Sequence, residues 1–260
     1  MKSSQLLIGS FFYVLFCLFV SHCFAQKDRF SAKQYVSASG DTLRYQIINA
    51  DYDTLRSTPL VIFLHGSGER GSDNEAQLKW GAMSFATDEM MALHPAVVVV
   101  PQCPDNQSWA NTERTKNSTE THLKPQPSKP MQLVKELIDQ LIKTAHIDTT
   151  RIYITGLSMG GFGTFDAVER YPDLFAAALP VCGGGDASKI ASASHIPMWI
   201  CAGADDATVN PTYSVDMLLA LRKAGAHPGF TLYPETGHAS WLAVYSDSHI
   251  INWLFSQHKK

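Results

Sequence analysis

The chain is poor in the features that would mark several protein classes. It has no stripe of lysine and arginine; its 21 basic and 24 acidic residues leave a net charge of −3 spread along 260 positions, which excludes the electrostatic footprint of a nucleic-acid binder. Its apolar core from Leu6 to Val20 is too short for a membrane-spanning helix. Internal repeats are absent, and so is a linker rich in proline, glycine or serine, so a single domain of ordinary size is expected. Cysteine is scarce: of five, Cys17 and Cys23 fall in the N-terminal apolar stretch, and Cys103, Cys182 and Cys201 are too few and odd in number for a disulfide framework. Each lies near an apolar run and reads as a small buried hydrophobe; in an oxidising compartment Cys103 with Cys182 is the alternative.

What is present begins with a leader. Lys2, the apolar core and Cys23-Phe24-Ala25 have the layout of a removable secretory signal, with cleavage expected after Ala25 and the domain running from 26 to 260. Lipid anchoring at Cys23 is the competing reading, which His22 fits badly. The expected location is therefore secreted or periplasmic.

Beyond the leader, "QYVSASGDTLRYQII" alternates around Ser39-Gly40-Asp41 and predicts an antiparallel hairpin. The period then changes. Near-continuous apolar runs at Pro59–Gly66, Ala96–Cys103, Arg151–Ser158, Ala176–Gly184, Pro197–Gly203 and Phe230–Glu235 have the pattern of strands covered on both faces. Helical patterns lie between them: Glu75–Phe85, Met131–Ala145, Met159–Arg170, Tyr213–Lys223 and His249–Gln257. This alternation predicts an α/β fold, a doubly wound and mostly parallel sheet opened by the hairpin. Pro104–Pro127 is long, polar and without a period; Trp109 within it reads as part of a functional rim.

In such a sheet the reacting groups belong at the carboxyl ends of the strands, and several candidate residues fall there. In "YITGLSMGG", Ser158 ends a strand and opens a helix, with Gly156 and Gly160 allowing a sharp turn and close packing. A serine N-cap after a glycine turn is the plain alternative. A hydroxyl nucleophile needs a base that is itself oriented by an acid. His238 in "YPETGHASW" follows the last strand through Gly237 and is the expected base, whereas His65 in "LHG" reads as loop support. Asp205 and Asp206 in "GADDATVNP" are the expected acids, only one of which can face the base, with Asp186 a weaker alternative. For oxyanion donors, the helix N-terminus offers the Met159 amide and the "HGSGERG" loop offers Ser67, with Gly68 in reserve. Glu69 and Arg70 read either as a mutual or rim pair or as an exposed charged turn. Trp241, three residues after His238, reads as rim or as packing for the following helix.

The segments "PLVIFLHGSGERGSDN", "GLSMGGFGTF", "GADDATVNP" and "YPETGHASW", spread over almost the whole chain beyond the leader, resemble the α/β-hydrolase superfamily. Within it they resemble the compact secreted esterases: phospholipase/carboxylesterase, dienelactone-hydrolase-like, and polyester-depolymerase or feruloyl-esterase-like enzymes, some labelled predicted peptidases. The family pattern of glycine, aspartate and valine aligns Gly203, Asp206 and Val209 and thereby selects Asp206, although Asn210 stands where proline often follows. Serine at the elbow departs from dienelactone hydrolases proper, which carry cysteine. The resemblance implies a serine esterase acting through an acyl-enzyme with Ser158, His238 and Asp206, without metal or organic cofactor, on a small-molecule or polysaccharide-linked ester. A peptidase with the same triad and a catalytically silent carbohydrate-binding relative are the rival expectations.

Overall fold

The computed structural model describes residues 26–49, 57–116 and 118–259; the leader expected over residues 1–25 lies outside them. Eight strands form one sheet in the order β1-β2-β4-β3-β7-β8-β9-β10. The hairpin of β1 (Ser31–Val36) and β2 (Thr42–Ile48) turns at Gly40, whose φ is +84°. β2 runs antiparallel to β4 (Val97–Pro101), and from there the sheet is parallel: β3 (Thr58–Leu64), β7 (Ile147–Leu157), β8 (Ala177–Val181), β9 (Trp199–Gly203) and β10 (Gly229–Tyr233). The expected fold class and all the expected strands are present.

Successive side chains of a strand face opposite sides of its sheet, so apolar residues at every position build two cores. Leu60, Ile62 and Leu64 of β3 join Val97, Val99, Ile152 and Ile154 on one face, while Val61 and Phe63 join Val98, Val100 and Tyr153 on the other. The first face is covered by α2 (Lys129–Thr144), α3 (Met159–Arg170) and α4 (Thr212–Lys223), and the second by α6 (Ser248–Ser256), with α5 (Trp241–Val244) before it. α2 starts where Ser128 Oγ accepts the Met131 amide at 3.2 Å and proline occupies the first turn, which satisfies a donor that the helix leaves free. No helix among the described residues is long and apolar enough to cross a membrane.

Two expectations need correction. Glu75–Phe85 is not one helix but two 3-10 turns, Ala76–Leu78 and Ala82–Ala86, followed by a short helix α1 (Asp88–Leu93) that the periodicity did not suggest. Gly81 breaks the pattern: its φ is +73°, and a Cβ there would stand 2.6 Å from the Tyr245 ring. Packing against Tyr245 therefore overrides the apolar spacing. Pro104–Pro127 is a docked segment that carries its own two-stranded hairpin, β5 (Thr112–Arg114) with β6 (Thr121–Leu123). Trp109 is fully buried and not on a rim; its indole donates to the His65 carbonyl at 3.0 Å and its side chain fills the space beside Gly163.

The same segment is pinned from below by α3. Arg170 holds Asp166 at 2.8 Å and donates to the carbonyls of Asn111, Lys124 and Pro125, while the Asn111 amide donates to the second Asp166 oxygen at 3.1 Å. Only about 1% of the Asp166 side chain is exposed, so its removal leaves a guanidinium and an amide without their acceptor in a dry site. Breaking a buried pair of this kind costs about 3–5 kcal/mol. Asp166→Ala is expected to lower the unfolding free energy by about 3 kcal/mol in urea titrations, and a loss below about 1 kcal/mol would show that the pair does not hold the segment.

Candidate active site

β7 ends at Leu157 and α3 begins at Met159, so a single residue turns the chain. That residue, Ser158, has φ +54° and ψ −117°, a conformation that costs a non-glycine residue of the order of 1–3 kcal/mol. The turn is enforced by close backbone packing. A Cβ at Gly156 would lie 2.5 Å from the Gly160 carbonyl oxygen, and one at Gly160 would lie 1.9 Å from the Leu64 oxygen. Only glycine fits at either place, and the start of α3 therefore rests on the end of β3, where the chain enters Gly66 and Ser67.

The imidazole of His238 reaches Ser158. His238 Nε2 lies 2.9 Å from Ser158 Oγ, and Nδ1 lies 2.7 Å from Asp206 Oδ2. A carboxylate only accepts, so Nδ1 carries the proton and Nε2 is left to accept the serine hydroxyl. The other Asp206 oxygen accepts the amides of Thr208 at 2.9 Å and Val209 at 2.8 Å, which fixes the carboxylate in place. Asp205, its neighbour, is exposed and turned away, its amide donating to the Thr236 carbonyl at 2.9 Å. Asp186 is occupied elsewhere, by the Leu123 amide and by Ser188. The three elements that carry Ser158, Asp206 and His238 end at the same edge of the sheet.

Other histidines have other partners. His65 is buried, accepts the Cys103 amide at Nε2 (2.9 Å) and places Nδ1 2.6 Å from the Gly66 carbonyl, so it carries its proton on Nδ1 and braces the loop. Burial lowers its pKa to about 4. His94 pairs with Asn252, His195 with the Pro172 carbonyl, and His249 packs on Trp199.

Four neighbours complete the surroundings, and three of them were not read as site residues from the sequence. Glu69 is only 5% exposed and faces inward against Gly66; burial raises its pKa. It is neither a surface charge nor a partner of Arg70, whose guanidinium donates to the carbonyls of Gln107 and Ser67 instead. Trp80 stands 6.4 Å from Trp241, and Trp241 meets His238 edge to face, with centroids 5.0 Å apart at 88°; of the two tryptophans expected at the rim, this one borders the site. Cys182, with φ +50°, lies behind the His238 loop, its Sγ 2.9 Å from Ser240 Oγ and 3.5 Å from the His238 carbonyl. Like Cys103 and Cys201 it is a free, buried thiol. Together with Asp206 and His238 it offers ligand atoms within 4.8 Å of one another. Burial pushes the thiol up to about 11, and the Asp206 carboxylate already accepts from His238 and from two backbone amides.

The fold is that of the α/β-hydrolase class. The chain belongs to the phospholipase/carboxylesterase family, whose model it matches over residues 47–248. The crystal structure of a thermostable esterase superposes with a TM-score of 0.82 at 37% identity, covering 89% of this chain and 64% of that one. Among curated proteins, poly(3-hydroxyalkanoate) depolymerase C of Paucimonas lemoignei is 33% identical over 128 residues, 49% of this chain and 28% of the depolymerase. The bifunctional acetylxylan esterase/xylanase XynS20E of Neocallimastix patriciarum is 26% identical over 155 residues, 59% of this chain and 20% of that protein. The chain thus spans less than a third of the length of either curated relative.

The neutral His65 links the site loop to pH. In the unfolded chain it titrates near 6.5, in the fold near 4, so the unfolded state binds the extra proton between these values. The stability it supports is complete above pH 6.5 and falls as the pH drops toward 4, by at most about 3 kcal/mol from this residue alone. Denaturant titrations between pH 7 and pH 4 are expected to show a fall of that order in the native chain and a shallower one in His65→Gln; equal slopes would show that His65 does not carry the effect.

Proposed function

We propose that the chain is a serine esterase that cleaves carboxylic esters through an acyl-enzyme, acting outside the cytoplasm on acyl groups carried by polysaccharides. The observation that carries the reading is the hydrogen-bonded line from Ser158 Oγ through His238 to Asp206. In the first half-reaction Ser158 Oγ attacks the ester carbonyl as its proton passes to His238 Nε2, giving a tetrahedral oxyanion and an imidazolium that Asp206 stabilises across Nδ1. The C–O bond to the alcohol then breaks, and the same proton leaves with the alcohol oxygen. In the second half, a water gives its proton to Nε2 and its oxygen to the acyl carbon, and Ser158 recovers the proton as the acid departs.

The oxyanion is assigned to the backbone amides of Met159 and Ser67. Met159 opens α3, so its N–H has no partner within the helix, and the positive end of the helix dipole favours the developing charge. Ser67 follows the strand end on which Gly160 rests, which brings the two loops side by side. A single donor of this kind is worth roughly 3–4 kcal/mol of transition-state stabilisation. Glu69, buried with its carboxylate against Gly66, belongs to the loop that carries the Ser67 amide. The mechanism uses no metal or organic cofactor. The polysaccharide assignment draws support from the acetylxylan esterase named among the relatives, and the extracellular location from the leader pattern of residues 1–25.

Hydrolysis of 4-nitrophenyl acetate tests the class. The native chain is expected to exceed Ser158→Ala by about four orders of magnitude or more in kcat/KM, since a lost nucleophile removes the whole covalent route. Equal slow rates for the two would exclude the esterase, and a preference for peptide over ester bonds at matched concentration would replace it with the peptidase.

A further inference from the structure

A cavity of about 540 Å³ opens between the β5–β6 hairpin, the loop after β8 and the first turns of α4. Its size falls within the range of about 300–1,000 Å³ usual for small-molecule sites. These three segments follow the carboxyl ends of β4, β8 and β9, the edge of the sheet on which Ser158, Asp206 and His238 also stand. Its contacts lead back to that site. The Tyr213 ring packs edge to face on Phe162 at 5.3 Å, and the Phe162 amide donates to the Ser158 carbonyl. The lining residues Gly185 and Asp186 follow shortly after Cys182, whose thiol lies beside Asp206 and His238.

The lining has a definite chemistry. It holds three carboxylates, Glu120, Asp186 and Asp216, together with His122, the Tyr213 side chain and four serine or threonine hydroxyls, and it includes no lysine or arginine. A wall of this kind repels anions. Each carboxylate is also partly engaged: Asp216 accepts Thr119 Oγ1 at 2.5 Å, Asp186 accepts the Leu123 amide and Ser188, and Glu120 faces His122 at 3.3 Å and accepts Thr115 Oγ1. Asp186 is spent on those partners, and what remains open on Glu120 and Asp216 is a set of directional acceptor positions rather than bare charge; a single aromatic ring makes no cage for a quaternary ammonium. Directional acceptors, hydroxyls that donate and accept, and one aromatic face suit a neutral ligand rich in hydroxyl groups. Asp186 is itself 2% exposed and is fixed by β6 on one side and Ser188 on the other, which holds that wall of the cavity in place before a ligand arrives.

We infer that this cavity binds neutral sugar units of the alcohol part of the substrate, beside the ester that Ser158 attacks. The inference rests on the esterase reading for its role in catalysis, but the cavity's affinity for sugar can be measured without any hydrolysis. Leu219, on α4, lines the cavity and is 60% exposed, so Leu219→Trp blocks the space without disturbing the core. Asp216→Asn removes one carboxylate and keeps its shape.

Isothermal titration of the native chain with xylotetraose, and separately with tetragalacturonate as the anionic control, tests the proposal. Xylotetraose is expected to bind, tetragalacturonate to bind at least ten-fold more weakly, and both variants to lose five-fold or more in xylotetraose affinity while keeping the native melting temperature within a few degrees. No xylotetraose binding, equal affinity in native chain and both variants, or equal binding of the anionic control overturns the proposal. Turnover of 4-nitrophenyl acetate by the same native preparation separates the two claims. Turnover without sugar binding removes the cavity's role and keeps the esterase, whereas sugar binding without turnover removes the esterase and with it the role in catalysis.

Discussion

The structure depends on one strained residue. Ser158 sits at φ +54° between a buried strand and a buried helix, and it can do so because Gly156 and Gly160 let the backbones of β7, α3 and β3 come within a distance that any Cβ would forbid. A strained conformation persists only where its surroundings over-determine it. Here the surroundings are the two apolar cores, which hold the strand and the helix in register with the sheet. The exposed consequence of that strain is a hydroxyl lifted above the edge of the sheet, and the two other partners are brought to it by strands of the same sheet. Close packing recurs where His238 approaches: a Cβ at Gly203 would lie 2.3 Å from the Gly237 oxygen, so the loops carrying Asp206 and His238 touch main chain to main chain. The geometry of the line is set by backbone contacts rather than by the three side chains.

Around this line the protein uses buried polar groups as fixtures. Neutral His65 ties the start of the Gly66–Ser67 loop to Cys103; Asp166 and Arg170 tie the long segment after β4 to α3. Glu169 belongs to the same layer, its Oε1 accepting the Asp186 amide at 2.9 Å, and burial raises its pKa. Loops at the rim of a sheet are the parts that move most readily, and buried hydrogen bonds restrain them because their loss exposes unsatisfied groups in a dry interior.

Much of this was legible in the residues. Two-face burial writes itself as unbroken apolar runs, so the strands and their parallel arrangement followed from Val97–Val100 and Leu60–Leu64. The elbow was legible because its glycines stand on either side of a serine where strand period gives way to helix period. The choice between Asp205 and Asp206 was not settled by the residues, which are alike and adjacent; the family pattern pointed to Asp206, and in the fold the two face opposite ways. What could not be read depends on contacts between distant segments. Gly81 broke an apolar pattern because Tyr245 packs against it, Trp109 sank because the space beside Gly163 needed a large side chain, and Glu69 turned inward to lie against Gly66. Cys182 carried no signal beyond its place at a strand end.

Whether the fold presents one activated hydroxyl is read by treating the folded chain with a fluorophosphonate and mapping the adduct by mass spectrometry. A single adduct is expected on the peptide containing Ser158, lost in Ser158→Ala and strongly slowed in His238→Ala. A folded chain that takes up no label, or takes it up at another residue, would contradict it.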